Sequence, residues 1–238
     1  MPRKARVILS NTPHHIVQRG HNRKAVFIEQ GDYRYYLDNL LEWKEKLDCK
    51  VYAYCLMTNH VHLIIDPGET PENLSRLMKR LAGRQTRLVN AVEARTGSLW
   101  EGRFKCSPIE THRYLLACCR YVERNPVRAG MVSLPEEYKW SSYKAKVGMM
   151  EDAVIDFDVC YQALGHDAAA RQMAYACWVK CDDDKDDVKL IHAALTRSQL
   201  TGTERFAEEV DARFGLRIQM RGPRRPRKRD IMERLYEK

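Results

Sequence analysis

Residues 51 to 66 constrain this chain most. Two apolar β-type runs, Val51 to Met57 and His60 to Asp66, stand on either side of the two-residue turn Thr58-Asn59. A gap this short leaves room only for an antiparallel return, so the segment reads as a hairpin. Along its second arm the side chains alternate, which puts His60 and His62 on one face and Val61, Leu63 and Ile65 on the other.

The flanking sequence supplies partners for the hairpin. His15 to Gln18 is a short β-type run closed by Arg19-Gly20, a turn signal. From Asp32, read as an N-cap, to Leu47, the residues Tyr33, Tyr36, Leu37, Leu40, Leu41, Trp43 and Leu47 recur at helical spacing. Pro71 opens a second helix, with Leu74, Leu77, Met78, Leu81, Leu88 and Val92 on one face and Arg76, Lys79, Arg80, Arg84 and Arg87 on the other. Residues 104 to 110 read as an edge strand, the one place where Pro108 is tolerated. Thr111 is read as the cap of a helix running through Tyr121 to Asn125 and stopped by Pro126. The order strand, helix, strand, strand, helix, strand, helix predicts an α+β fold: a ferredoxin-like, RRM-like four-stranded antiparallel sheet with packed helices.

That unit is expected to end near Gly148. Beyond it, Phe157 to Cys181 and Val188 to Leu195 read as helices, and Thr201-x-x-Glu204 as a capping box with Gly215 as the stop. The expected division is therefore 1–148 for the sheet domain, 149–220 for a small helical C-terminal region and 221–238 for a basic tail.

A chain of 238 residues, 44% hydrophobic and 31% charged, supports one substantial core and a smaller second one. No apolar stretch approaches the ~20 residues of a membrane span. The charged start, Arg3-Lys4-Ala5-Arg6, is followed by no apolar run, so no secretory leader is read. The eight cysteines show neither CxxC nor zinc-ribbon spacing, which fits a reducing cytoplasm better than a disulfide framework. Residues 1 to 148 hold 25 Lys and Arg against 15 Asp and Glu, and RGPRRPRKR at 221–229 adds six bases without an acid. That distribution suggests a polyanionic partner, although a solvated basic surface would look the same.

Two imidazoles one strand repeat apart can hold one cation, as can be said of many unrelated H-x-H pairs. On the helix after Thr111, Tyr121 and Asn125 stand four apart and point the same way. Two histidines and an amide oxygen would leave coordination positions open for phosphate oxygens, and such a donor set suits Mg²⁺ or Mn²⁺. Tyr114 lies seven residues before Tyr121 with Cys118, not a polar partner, four residues on, and reads as a packing residue.

MTNHVHLI at 57–64, LWEGRFK at 99–105 and RYVERNPVRAG at 120–130 resemble, in that order, the single-tyrosine HUH transposases, and most nearly the branch called REP-associated tyrosine transposases. The resemblance spans about residues 10 to 145, and the basic PRRPRK ending fits the same branch. It implies that His60 and His62 are metal ligands, that Tyr121 is the nucleophile, and that Asn125 is the third ligand, where related transposases often carry Gln. It also implies cleavage of single-stranded DNA through a 5′-phosphotyrosine and rejoining by the freed 3′-hydroxyl. The substrate would be a short hairpin repeat with an adjacent recognition tetranucleotide, and the enzyme a monomer or homodimer. Candidate DNA contacts are Arg3, Lys4 and Arg6 of the arm, Arg19 and Arg23, the helix residues Arg80, Arg84 and Arg87, and Glu101 and Arg103 in a loop. Two alternatives use the same fold without chemistry: a repeat-DNA-binding regulator, and an RNA-binding module. The second would stack bases on aromatics of the central strands, where this chain carries His60 and His62 instead.

Overall fold

The computed structural model describes residues 6–181 and 184–215. The arm residues Arg3 and Lys4 and the tail 221–238 lie outside them. Among the described residues, those up to Thr203 form one compact unit and those from Glu204 on belong to a second.

Four strands, β1 (His14–Arg19), β2 (Lys50–Met57), β3 (His60–Asp66) and β4 (Lys105–Pro108), form one antiparallel sheet in the order β2-β3-β1-β4. This is the expected ferredoxin-like arrangement, with Pro108 on the edge strand. Directly opposed residues share a face. The register pairs His15 with Ile64, Val17 with His62 and Arg19 with His60, so all six side chains belong to one side of the sheet. Ile16, Val61, Leu63 and Leu56 point the other way, into a core built with α1 (Gln30–Lys46) and α2 (Glu72–Val92). A bulge in β2 between Val51 and Ala53 sets Tyr52 and Ala53 both toward the histidine side.

That side is covered by α3 (Thr111–Glu123), whose Leu115, Cys118, Cys119 and Val122 are buried in a second core. The second core continues into the C-terminal helices α6 (Val159–Gln162), α7 (Ala168–Lys180) and α8 (Lys185–Arg197), through Tyr161, Tyr175, Val179 and Ile191. Both edges of the sheet are closed, as exposed edges invite aggregation. Ser142 N donates to Tyr54 O and Leu56 N to Trp140 O along β2, while Thr201 N donates to Pro108 O along β4.

A fully buried polar cluster ties α3 to the C-terminal helices. Glu123 accepts from Ser142 Oγ and from Tyr175 Oη, both at 2.6 Å. Lys146, on α5 (Tyr143–Lys146), lies 3.5 Å from Glu123 and donates to Tyr175 Oη at 3.2 Å. A buried charge is tolerated only when so partnered.

Several local expectations need correction. α1 begins two residues before Asp32: Glu29 is the N-cap, and Asp32 is the third helical residue, accepting from Ile28 N and Glu29 N. Thr111 is the first residue of α3 and Glu110 its N-cap. α3 stops at Glu123, and Asn125 opens the separate turn α4 (Asn125–Arg128), because Pro126 cannot supply the N–H that would continue the ladder. The stretch 157–181 is two helices, since Asp158 caps α6 and Asp167 caps α7 through their carboxylates. Thr201 caps nothing: its hydroxyl lies 2.7 Å from Ser107 Oγ, and α9 (Glu204–Phe214) begins three residues later. Gly215, at φ +62, ends α9 as expected.

Gly20 is where β1 must turn. A Cβ there would stand 2.3 Å from Lys24 O and 2.8 Å from Val26 Cγ1, so the turn requires glycine for space.

His14 is a fully buried histidine with both ring nitrogens engaged, Nδ1 at 2.7 Å from Thr12 O and Nε2 accepting from Leu9 N at 3.1 Å. Burial lowers its pKa to about 4, against the rise that the Thr12 carbonyl provides. The unfolded chain therefore takes up a proton that the folded one refuses as pH falls from about 6.5 to about 4. The stability linked to His14 is complete above that window and lost within it, by about 3 kcal/mol in all. Urea unfolding of wild type and His14→Gln between pH 7 and pH 4 is expected to show a shallower decline in the variant.

Candidate active site

The register of β1 and β3 brings three histidines to one place. The rings of His60 and His62 are 5.0 Å apart between centroids, and His15 stands 5.2 Å from His62. Tyr121, on the turn of α3 above them, has its ring 6.1 Å from that of His62 and 5.6 Å from that of His15. The phenol is thus a neighbour of the imidazole pair, as the sequence-based reading requires. Tyr114, one α3 residue that competes for the role, packs half-buried against the second core.

His60, His62, Tyr121 and Asn125 line a cleft of about 540 Å³. Arg19 and Arg23 enter it from the end of β1 and the turn that follows. Glu101, Gly102 and Arg103 enter from the loop before β4, and Lys105 from β4 itself. The loop is held to β1 by Glu101 N donating to Arg19 O at 2.9 Å. Four cations against one carboxylate make this wall electropositive and suited to a phosphate backbone.

The histidines are neutral at pH 7. Burial, and then the charge of Arg19, lower His60 to about 4. His62 is pushed well below the usual imidazole range by burial first, then by His15, His60, Arg128 and Arg19. A neutral imidazole has one lone pair, and its hydrogen bonds decide where it points. His60 Nδ1 lies 2.6 Å from Asn59 Oδ1, an acceptor, so Nδ1 carries the proton and Nε2 keeps the lone pair. His62 Nδ1 lies 3.0 Å from His15 Nε2. Asn125 Nδ2 donates to Tyr121 O at 3.0 Å and to Val122 O at 3.2 Å, which leaves Oδ1 as its acceptor.

Among the described residues no group of three or more His, Cys, Asp or Glu side chains is placed to hold a metal ion. The donor set at the cleft is instead two neutral imidazoles and an amide oxygen. That set mixes two borderline nitrogen donors with one hard oxygen donor, and would admit a divalent cation that takes its remaining ligands from water or substrate.

Other expected residues lie elsewhere. Arg6 donates to Phe104 O at 2.9 Å and stacks on the Phe104 ring at 3.9 Å, so it is fixed beside β4. Arg80, Arg84 and Arg87 sit on α2, which packs on the opposite face of the sheet from the histidines. Arg84 is bonded to Glu42 and Asn39, and both Arg80 and Arg84 lie over the Trp43 ring. The structure also adds residues that sequence reasoning missed. Arg128 lies over the Tyr121 ring at 4.2 Å and donates to Tyr121 O. Its spacing of seven from Tyr121 was a usable signal. His192, Leu195 and Thr196 of α8 line the cleft, and nothing in their local sequence marks them.

Residues 9–125 match the family model described as "Transposase IS200 like". Among solved structures, a REP-associated tyrosine transposase bound to a REP hairpin is 17% identical, with 67% of this chain and 93% of that chain covered and a TM-score of 0.55. A second, from Deinococcus radiodurans, is 20% identical over 52% of this chain and 97% of that one, with a TM-score of 0.34, too low to carry argument. Among curated proteins none matches significantly. At such identities the structural likeness speaks for the shared fold, while the sequence match covers all three expected motifs up to Asn125. Residues 9–125, just under half of this chain, are therefore similar to the IS200-like transposase family.

Proposed function

We propose that this protein is a single-strand DNA endonuclease and strand transferase acting on hairpin-forming repeats in the cytoplasm, with Tyr121 as nucleophile. The observation that carries this is the position of Tyr121 beside His62, their rings 6.1 Å apart, in a cleft walled by Arg19, Arg23, Arg103 and Lys105. The solved relative held a REP hairpin, which supports a hairpin as the substrate; in this reading an adjacent short sequence is recognised with it.

In this reading the basic wall binds the scissile strand and sets a phosphate against the Tyr121 hydroxyl. The tyrosine oxygen bonds to phosphorus and the bond from phosphorus to the 3′ oxygen breaks. The phenolic proton passes to solvent and the departing oxygen is protonated, leaving a 3′-hydroxyl and a 5′-phosphotyrosine. Attack of a 3′-hydroxyl on that linkage runs the step backwards and rejoins strands, because the covalent bond conserves the phosphodiester. His60, His62 and Asn125 would hold Mg²⁺ or Mn²⁺, which when bound polarises the phosphate oxygens. Arg128, over the Tyr121 ring, restrains the phenol and sets a positive charge against the ring face.

The division into 1–148, 149–220 and 221–238 is, in this reading, one of labour. The first part carries the chemistry, the helical part forms a wall of the cleft through α8, and the basic tail supplies charge. The protein acts as a monomer or homodimer. No helix among the described residues is long and apolar enough to cross a membrane.

With a labelled single-stranded repeat hairpin and Mn²⁺, wild type and Tyr114→Phe are expected to give a protein-linked fragment on a denaturing gel, and Tyr121→Phe none. The reverse pattern would overturn the assignment of the nucleophile. His60→Ala, His62→Ala or added EDTA is expected to reduce attachment to the Tyr121→Phe level, and full activity in EDTA would remove the metal. Replacing Arg19 or Arg103 by Gln should flatten the salt dependence of single-strand binding by about 0.7 in the log-log slope for each phosphate that is no longer neutralised. Changing Arg80, Arg84 and Arg87 together to Gln should leave that slope unaltered if the strand is confined to the cleft, and a fall would extend the footprint to α2.

A further inference from the structure

β1 carries two adjacent histidines that the fold treats differently. His14 faces one side of the sheet with both ring nitrogens satisfied by backbone groups. His15 faces the other side, is as completely buried, and has its Nδ1 without a partner among the described residues. Among the described residues its one hydrogen bond is to His62, Nε2 to Nδ1 at 3.0 Å, and the Tyr121 ring lies edge-on to it at 5.6 Å. A histidine kept only for packing would not leave a buried nitrogen orphaned when an apolar residue of similar volume fills the same space.

The bond between the two rings has two possible proton placements. If His15 donates, the proton of His62 sits on Nε2 and points into the cleft, toward the side lined by Arg19, Arg103 and Lys105. If His62 donates, its Nε2 lone pair faces those cations and the second proton of the pair sits on His15 Nδ1, away from the cleft. The Arg19 charge favours the second placement, since it attracts a lone pair on His62 Nε2 and repels an N–H there, while Arg128 acts on both rings and does not choose between them.

We propose that His15 is a positioning residue that acts by accepting the Nδ1 proton of His62, and so fixes His62 in the tautomer whose Nε2 can bind a divalent cation. The proposal rests on the reading of His60 and His62 as ligands. His15 touches neither cation nor substrate in this arrangement, and acts only through the orientation and tautomer of its neighbour.

The test has two parts. In metal-free wild-type protein labelled with ¹⁵N-histidine, long-range proton–nitrogen correlation spectra should show His62 protonated on Nδ1 and bare on Nε2. A proton on His62 Nε2 overturns the proposal without any variant having to fold. Mn²⁺ binding by electron paramagnetic resonance is then compared among wild type, His15→Phe, His15→Gln and His60→Ala. His15→Phe should weaken binding by about 10- to 100-fold. His15→Gln, whose amide oxygen still accepts near the original Nε2 position, should stay within a few-fold of wild type. Unchanged Mn²⁺ affinity in folded His15→Phe, or an equal loss in both His15 variants, overturns the role given to His15. Wild-type binding that ignores His60→Ala overturns the ligand reading itself, and is thereby distinguishable from failure of this proposal alone.

Discussion

The pairing register between β1 and β3 is the constraint on which the rest of this structure depends. With Val17 opposite His62 and Arg19 opposite His60, one side of two adjacent strands carries His15, Arg19, His60 and His62 together. A slip of one residue in either strand would turn that strand's members of this group to the opposite face and part them from the others. The register is held from that opposite side, where Ile16, Val61, Leu63 and Leu56 are fully buried under α1 and α2. Packing on the apolar face therefore fixes which side chains meet on the other.

The second requirement is that α3 sit at one height over the sheet. Its apolar residues give it a face, but a face alone lets a helix slide. Glu123, two residues past Tyr121, is locked by Ser142, Tyr175 and Lys146, all fully buried. Such a cluster is intolerant of displacement, because each polar atom would lose its partner in a place water cannot reach. The C-terminal helices thus hold α3, which carries Tyr121, through Tyr175, and α8 also forms part of the cleft wall.

The candidate site divides into residues legible in the sequence and residues that were not. His60 and His62 were legible because alternation on a strand is a local rule. Tyr121 and Asn125 were legible because spacing on a helix is another. Asn125 keeps its place although Pro126 ends the helix before it, since its side chain bonds back to Tyr121 O and Val122 O. His15 was not legible, because its role depends on a strand pair separated by 47 residues. His192 was not legible for the same reason. Arg84 shows the converse: a charged helix face reads as a binding surface, while in the fold that guanidinium is bonded within the protein to Glu42 and Asn39.

By itself the sequence determined the periodicities, hence the order of strands and helices, the face each residue occupies, and the residue types available for chemistry. These are short-range consequences of backbone geometry and of burying apolar surface. Only the tertiary structure decided which faces meet: that β1 lies between β3 and β4, that His15 closes on His62, that α2's arginines stand across the sheet from the cleft, and that α8 reaches over to wall it. Those outcomes depend on interactions between residues far apart in the chain, whose energies no local pattern contains.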